Sequence, residues 1–224
     1  MKVTFHDEGS GALRELKPAA PPVIDFFWGR DPAQNGLGAL REELAVGSLM
    51  DGLVYLGYGF NQNVAPEEGG VDLCFGPAAL KPPAGCWLKP GRVEAAEGLD
   101  GAALSAKGFE PAVFRLLCLS THYRRPLRFG WPALAERREE LERLRGRGRS
   151  LEASHGSSEA NAHGLTAYKK RFRDALAADL DLPGALAAVW DALRPGALSP
   201  GSALGLLREA DPVLGLDILG AKRP

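Results

Sequence analysis

The apolar run Val23-Ile24-Asp25-Phe26-Phe27 follows the turn-forming pair Pro21-Pro22 and decides the fold class of the first half of the chain. A short apolar run behind a turn is typical of a buried strand. Apolar residues then recur near helical spacing from Leu37 to Tyr55, which predicts one amphipathic helix capped at Gly57. Residues 71–75 form a second candidate core strand. This strand–helix–strand order predicts a parallel α/β layer.

The second half of the chain has a helical pattern. Residues 76–98 are rich in glycine and proline and are predicted to form an irregular connection. Beyond Pro111 the pattern predicts an all-α helical bundle joined by short turns. The polar stretch from Gly146 to His163 is predicted to be a mobile loop within it. The predicted helices are Pro111–Ser120, Pro132–Arg145, Tyr168–Leu180, Pro183–Leu193 and Ser202–Glu209.

Length and composition limit the functions to consider. A chain of 224 residues can form one large or two small domains. A net charge of -1 gives no overall attraction to nucleic acid, so a nucleic-acid surface has to be a local patch. No apolar run approaches the roughly 20 residues that cross a membrane, and no signal-peptide core is present, so a cytoplasmic location is expected. Three cysteines without close pairing indicate neither a disulfide framework nor a CxxC zinc site.

The segment Leu119–Phe129, which reads LSTHYRRPLRF, resembles a segment written LSTHYRSPLNF that follows the catalytic domain of cysteinyl-tRNA synthetases. Other pieces resemble the same family in the same order. They are LVYLGYGFNQN at 53–63, GGVDL at 69–73, AKGFEP at 106–111 and the helices at 168–176 and 179–187. The resemblance implies a reduced Rossmann-like domain of the class I synthetase type over 1–110, a junction over 111–131 and a helical bundle over 132–224.

The departures from the family pattern concern its catalytic signatures. The family's His-Ile-Gly-His signature is matched by 36–39, Gly-Leu-Gly-Ala, so both histidines are replaced. Its lysine-rich phosphate loop is matched by 94–98, which holds two glutamates and no lysine. Its zinc ligands are matched by Trp28 and by 76–81, where no set of N, S or O ligands is available. The resemblance therefore implies a catalytically degenerate relative without cysteine activation, catalytic residues, zinc or an expected cofactor.

Some residues could still form a remnant nucleotide site for ATP or AMP. Gly36 and Gly38 at the helix start could bind an anion together with Arg41. Asp72 matches an acidic residue that the family places near ATP, but a strand-end aspartate that caps a neighbouring turn is the alternative. The candidates are Gly36, Gly38, Arg41, Gly69, Gly70 and Asp72. A repurposed nucleotide-dependent ligase or nucleotidyl-transfer enzyme remains the alternative function, with Arg41, Lys89 and Arg92 as cations for the phosphates.

The basic residues Arg124, Arg125 and Arg128 are the candidates for RNA binding. They lie in the segment that the family places next to the inner face of tRNA, and phosphate contacts require such clusters. Glutamates alternate with the arginines of 136–149, which is typical of a solvated helix face with i,i+4 ion pairs. The sequence therefore predicts a binding protein for tRNA or another RNA. The alternatives are a protein partner and a homodimer that uses a surface exposed by a deleted insertion.

Four further residues have less specific interpretations. His122 is expected to be a buried or half-buried hydrogen-bonding residue rather than a catalyst. Cys74 and Cys118 lie in apolar runs and are expected to be buried. Cys86 could be a reactive thiol, but no neighbouring cation in the sequence clearly lowers its pKa.

Overall fold

The computed structural model describes residues 1–31, 35–62, 70–77, 85–95, 98–154 and 162–220, with side chains at all of these except 162 and 163. The strands are β1 (Thr4–Asp7), β2 (Ala12–Glu15), β3 (Val23–Trp28), β4 (Gly59–Asn61), β5 (Leu73–Phe75), β6 (Cys86–Leu88), β7 (Val93–Glu94) and β8 (Leu127–Arg128). The helices are α1 (Gly36–Tyr55), α2 (Gly101–Ala106), α3 (Pro111–Leu119), α4 (Trp131–Ser154), α5 (Ala162–Ala177), α6 (Leu182–Ala192) and α7 (Pro200–Leu214).

A four-stranded parallel sheet organises the first half of the chain. Its strand order is β4-β3-β5-β6, which corresponds to the central 2-1-4-5 part of the Rossmann order. All three residues of β5 and of β6 are buried, as expected for parallel strands covered on both faces. The predicted Rossmann-like α/β class is therefore confirmed, and so are the two predicted strands.

Helix α1 joins β3 to β4 and packs on the sheet. Leu37, Leu49 and Leu53 lie in the core, which confirms the predicted helix. Gly57 ends it with a φ of 97°, a left-handed conformation that favours glycine, and its N–H donates to the carbonyl of Val54. The helix thus runs from the carboxyl end of β3 back to the amino end of the sheet.

The connection predicted to be irregular over 76–98 contains two strands, β6 and β7, so that prediction is wrong for these residues. The three residues of β6 are apolar and buried, but the surrounding glycines and prolines hide so short a strand in the sequence. The β1–β2 hairpin is a further element that the sequence pattern does not predict. It lies beside β6, since the N–H of Glu8 donates to the carbonyl of Trp87 at 2.9 Å, and it buries Phe5 completely.

The second half is helical, as predicted. One correction concerns α4, which continues to Ser154 although the sequence predicts a loop over 146–163; residues 155–161 lie outside the described part of the chain. The helix continues through Gly148. Glycine is needed at this position because a Cβ there would lie 2.9 Å from the carbonyl oxygen of Ile218. Leu144 and Leu151 continue the buried stripe on either side of it.

One hydrophobic cluster contains buried residues of the sheet and of the helices, so the two halves share a core. The domain boundaries at 110 and 131 stay predictions. No helix within the described ranges is long and apolar enough to cross a membrane.

Candidate functional site

Arg41 of α1 is buried, with 2% of its surface exposed, and connects two loops. Its Nη1 donates to the carbonyl oxygens of Gly91 and Arg92, both at 3.0 Å. Its Nη2 donates to the carbonyl of Arg125 at 2.6 Å and, at 3.3 and 3.4 Å, to those of 122 and 123. Burial lowers the pKa of Arg41, yet a guanidinium stays charged in proteins. This one side chain therefore holds the loop before β7 against the segment before β8.

Backbone contacts complete the joint between these loops. β7 and β8 pair in parallel, with Val93 opposite Leu127. The N–H of Gly91 donates to the carbonyl of Tyr123 at 2.8 Å. A Cβ on Gly91 would lie 2.2 Å from the carbonyl oxygen of Arg125, a separation that only glycine permits. The loops around residues 91 and 125 are thus in direct contact.

The joint displays four basic side chains, Lys89, Arg92, Arg125 and Arg128, all of them exposed; we call this set the basic joint. Because side chains alternate along a strand, the inward Val93 and Leu127 leave Arg92 and Arg128 on the outer face of the β7–β8 pair. Arg128 is 92% exposed at its side chain, and its Nε lies 3.5 Å from the carboxylate of Glu94. Within the described ranges, Lys89, Arg92 and Arg125 form no ion pair.

Arg124, the third predicted RNA-binding arginine, is partly buried and paired with the carboxylate of Asp179. Its Nε and Nη2 donate to one carboxylate oxygen of Asp179 at 2.8 and 2.6 Å. The other oxygen accepts hydrogen bonds from the hydroxyl of Tyr123 and the N–H of His6, both at 2.9 Å. Asp179 has a φ of 55° and is 7% exposed. Arg124 is thus part of a buried polar cluster that ties the N-terminal hairpin to the joint and to the α5–α6 corner.

Two neighbours of Asp179 have shifted pKa values. Burial raises the pKa of Tyr123 strongly, and the nearby carboxylate of Asp179 raises it further. Burial lowers the pKa of His122, while Asp179, 3.6 Å from its Nε2, opposes that shift. His122 is partly buried and stacks on Tyr123 with ring centroids 4.9 Å apart. This matches the interpretation of a half-buried hydrogen-bonding histidine.

At the start of α1, the chain's own backbone covers the predicted anion site. Gly36 has a φ of 51°, and a Cβ there would lie 2.2 Å from the carbonyl oxygen of Leu99. The N–H of Leu37 donates to the same carbonyl at 2.9 Å, and that of Gly38 donates to the carbonyl of Asn35 at 3.0 Å. The N–H groups of Leu37 and Gly38, which could bind a phosphate, therefore already donate to carbonyl oxygens of the chain.

The remnant nucleotide candidates are not brought together. Gly70 and Asp72 precede β5, whereas α1 begins beyond the carboxyl end of the parallel strand β3. The two carboxylate oxygens of Asp72 accept hydrogen bonds from the N–H groups of Ala19 at 3.0 Å and Asp25 at 2.9 Å, which is the capping role weighed as the alternative. Gly69 lies outside the described residues.

The cysteines do not provide a nucleophile in this structure. Burial raises the pKa of Cys74 to about 11 and that of Cys118 to about 12. Burial, with the nearby carboxylate of Asp7, raises the pKa of Cys86 to about 12. All three thiols are therefore protonated at neutral pH. Among the side chains described, no group of three or more His, Cys, Asp or Glu residues could hold a metal ion.

Sequence reasoning does not anticipate two residues that build the site. Gly91 and Asp179 carry no local signal, because the atoms they contact are distant in sequence. Lys89 and Arg92 are predicted only as cations for a nucleotide's phosphates, whereas Arg41 binds the backbone of Arg92 and of Arg125 together.

The fold and the joint define an α/β protein with a Rossmann-like parallel sheet and a helical region. Curated proteins of similar sequence narrow this class. Cysteine–tRNA ligase 1 of Burkholderia lata is 34% identical over 115 residues, which are 51% of this chain and 23% of that protein. Cysteine–tRNA ligase of Treponema pallidum is 34% identical over 135 residues, which are 53% of this chain and 26% of that protein. The chain is accordingly cysteinyl-tRNA synthetase-like over about half its length.

A third relative has a different name. L-cysteine:1D-myo-inositol 2-amino-2-deoxy-alpha-D-glucopyranoside ligase of Kytococcus sedentarius is 32% identical over 148 residues, which are 56% of this chain and 34% of that protein. The chain thus matches only about a quarter to a third of the length of these curated relatives. No protein-family model matches the chain.

Proposed function

We propose that the chain binds RNA, with tRNA as the expected ligand, through the basic joint, and that it does not activate cysteine. The observation that supports RNA binding is that four exposed cations lie on the two segments that Arg41 holds together. Arg92 and Arg125 are fixed at the backbone by Arg41, so their side chains extend from an ordered platform. Phosphate binding requires such a local cluster in a chain whose net charge is only -1.

The charge pattern of the joint suits a phosphate backbone. Arginine presents a planar fork of donors that matches phosphate oxygens, and it binds them better than a point charge does. The weak, exposed pair between Arg128 and Glu94 leaves that guanidinium available, because exposed ion pairs contribute about 0–1 kcal/mol. The names of the two cysteine–tRNA ligases identify tRNA as the RNA to test first.

Loss of cysteine activation is supported by the residues at the start of α1. Both signature histidines of the resembled family are replaced, and the N–H of Leu37 is already bonded to Leu99. The segment 94–98, matched to the family's lysine-rich phosphate loop, supplies no lysine to bind a polyphosphate.

A fluorescence-anisotropy titration of labelled tRNA tests the RNA proposal. We expect the double variant Arg92→Ala/Arg125→Ala to weaken binding about tenfold or more, because each arginine that neutralises a phosphate releases counterions favourably. The matched control is Arg143→Ala/Arg149→Ala, which removes two exposed arginines of α4 and the same net charge. Failure of the wild-type protein to bind tRNA, or equal weakening by both double variants, would overturn the proposal.

The second candidate function is a nucleotide-dependent ligation. The name of the Kytococcus protein is the reason to consider it, because it describes a ligase for L-cysteine and 1D-myo-inositol 2-amino-2-deoxy-alpha-D-glucopyranoside. A cysteine-dependent exchange of pyrophosphate into ATP would identify retained activation chemistry. Stabilisation of the fold by millimolar ATP or AMP would identify a retained nucleotide site. Either result would favour this function over a purely RNA-binding role, and we expect neither.

A further inference from the structure

A small cavity lies between one face of α1 and one face of α3. Its polar lining residues are Arg41 and Ser48, two helical turns apart on α1, and Arg115 and Cys118, one turn apart on α3. The rest of the described lining is apolar apart from the hydroxyl of Tyr123. The cavity has room for about one molecule of the size of water. It therefore suits a single small ion or molecule and is too small for phosphate.

Two buried positive charges flank this cavity. Arg41 and Arg115 are both buried, and no carboxylate among the described residues lines the cavity with them. The described acceptors of Arg41 are neutral backbone carbonyls. Burial raises the pKa of the Cys118 thiol to about 12, although both guanidiniums act to lower it, so the thiol carries no balancing charge at neutral pH. Because a buried charge is costly unless it is compensated, the cavity favours an anion over a neutral molecule.

Two donors on α1 have no acceptor within the described part of the chain. The Nε–H of Arg41 forms no hydrogen bond there, whereas both of its Nη groups donate to carbonyls. The Oγ of Ser48 accepts from Nη2 of Arg115 at 3.3 Å, but its own hydroxyl hydrogen has no described acceptor, and Ser48 is 1% exposed. Buried donors in folded proteins normally have an acceptor. An anion in the cavity is an acceptor that both can share.

We propose that this cavity binds one small monovalent anion, of the size of chloride, between the two buried guanidiniums, with Arg41 Nε and Ser48 Oγ as its donors. Hydrogen bonds to an ion are stronger than those between neutral groups, so a site with few donors can hold it. The anion compensates the charge of the side chain that binds the two loops of the basic joint together. Its binding does not depend on RNA, so the experiments below are done without RNA and leave the RNA proposal untouched.

Thermal unfolding of the full chain in sodium chloride and in sodium gluconate, at equal ionic strength, tests this site. Gluconate is too large for the cavity and reports the effect of ionic strength alone. With a dissociation constant on the order of 10 mM, Tm in about 100 mM chloride should be about 3–6 °C higher than in the same concentration of gluconate. A Tm that does not rise with chloride concentration would overturn the proposal and leave a water molecule as the occupant.

Two variants separate the site from general effects of salt on stability. Ser48→Ala removes one donor and should weaken chloride binding about tenfold. Ala45→Val fills the cavity, removes no donor and should abolish the chloride-dependent rise in Tm. The matched control is Ser120→Ala, because the hydroxyl of Ser120 donates to the carbonyl of Leu116 at 2.7 Å and does not line the cavity. Equal rises in wild type and in both cavity variants would contradict the proposal.

A crystal soaked in sodium bromide locates the anion directly, because bromide is identified by its anomalous scattering. We expect an anomalous peak inside the cavity, within hydrogen-bonding distance of Arg41 Nε and Ser48 Oγ. A water molecule at this position, with bromide bound only at the protein surface as an adventitious ion only, would overturn the proposal.

Discussion

The start of α1 and the basic joint lie next to each other, since Arg41 of α1 donates to backbone carbonyls of the joint, but they use their polar groups in opposite ways. At the start of α1, N–H groups and Arg41 itself are bonded within the fold. At the joint, the guanidinium of Arg41 donates to the backbone carbonyls of Arg92 and Arg125, and the side chains of these two arginines are exposed. The difference shows that the role of an arginine depends on whether backbone carbonyls of the fold accept its hydrogen bonds. Its position in a sequence motif does not reveal this.

The largest effect should come from removing the buried arginine. Arg41→Ala leaves five carbonyl oxygens, most of them partly buried, without this donor, which should lower the free energy of unfolding by about 3 kcal/mol or more. Urea unfolding measures this loss. Arg125→Ala, an exposed neighbour, should change stability by less than about 0.5 kcal/mol. Equal losses of unfolding free energy in the two variants would contradict the difference between the buried Arg41 and the exposed Arg125.

Asp179→Asn should have the next largest effect. Asparagine tolerates the left-handed backbone at this position, and its Oδ1 can still accept from Tyr123. Its Nδ2 is a donor where Asp179 accepts from Arg124, so the change removes the charge and both hydrogen bonds from that guanidinium. We expect a loss of about 2 kcal/mol in unfolding free energy. Asp174→Asn is a suitable control, because its carboxylate belongs to an exposed pair with Lys170. An Asp179→Asn variant as stable as this control would show that the buried charge pair is dispensable.

The buried carboxylate of Asp7 should make the free energy of unfolding depend on pH in the acidic range. Burial raises the pKa of Asp7, but bonds from Trp87 N–H, Ser10, Gly9 N–H and Arg14 outweigh it and lower the value from 3.8 to about 2. The folded pKa is below the unfolded one, so the stabilisation is present above about pH 4 and is lost as pH falls towards 2. The linked free energy is about 2 kcal/mol. Urea midpoints at several pH values should decline less steeply in Asp7→Asn; parallel curves would contradict this.

The smallest effect concerns the joint itself. Glu94→Gln removes the carboxylate 3.5 Å from Arg128 and should strengthen tRNA binding about two- to threefold, in keeping with the weak energy of an exposed pair. The anisotropy titration measures it, with Glu139→Gln on α4 as the control. Unchanged affinity would indicate that Arg128 does not contact phosphate.

Much of the fold could be predicted from local pattern. β3, α1 and the helices of the second half follow from apolar periodicity and turn residues, because each signal lies within the element. β6 and β7 could not be predicted, since two or three residues give no periodicity. The end of α4 is not predictable because Gly148 looks like a break, and only the contact with Ile218, distant in sequence, explains it.

The candidate site is less accessible to sequence reasoning. The resemblance to a family draws attention to 119–129, but it cannot distinguish Arg124, paired with Asp179, from Arg125. Arg41 looks like a phosphate ligand in sequence because nothing local reveals that carbonyls of 91, 92 and 125 surround it. Contacts across 50 to 84 residues leave no pattern in a single sequence.

The central claim is that the exposed cations of the joint, not the start of α1, contact the ligand. The salt dependence of tRNA affinity tests it most directly, because the slope of log affinity against log salt counts phosphate contacts at roughly 0.7–0.9 each. We predict that Arg92→Ala/Arg125→Ala reduces the wild-type slope by about 1.5, whereas Arg143→Ala/Arg149→Ala leaves it unchanged. A slope that is the same in wild type and in the joint variant would contradict the account.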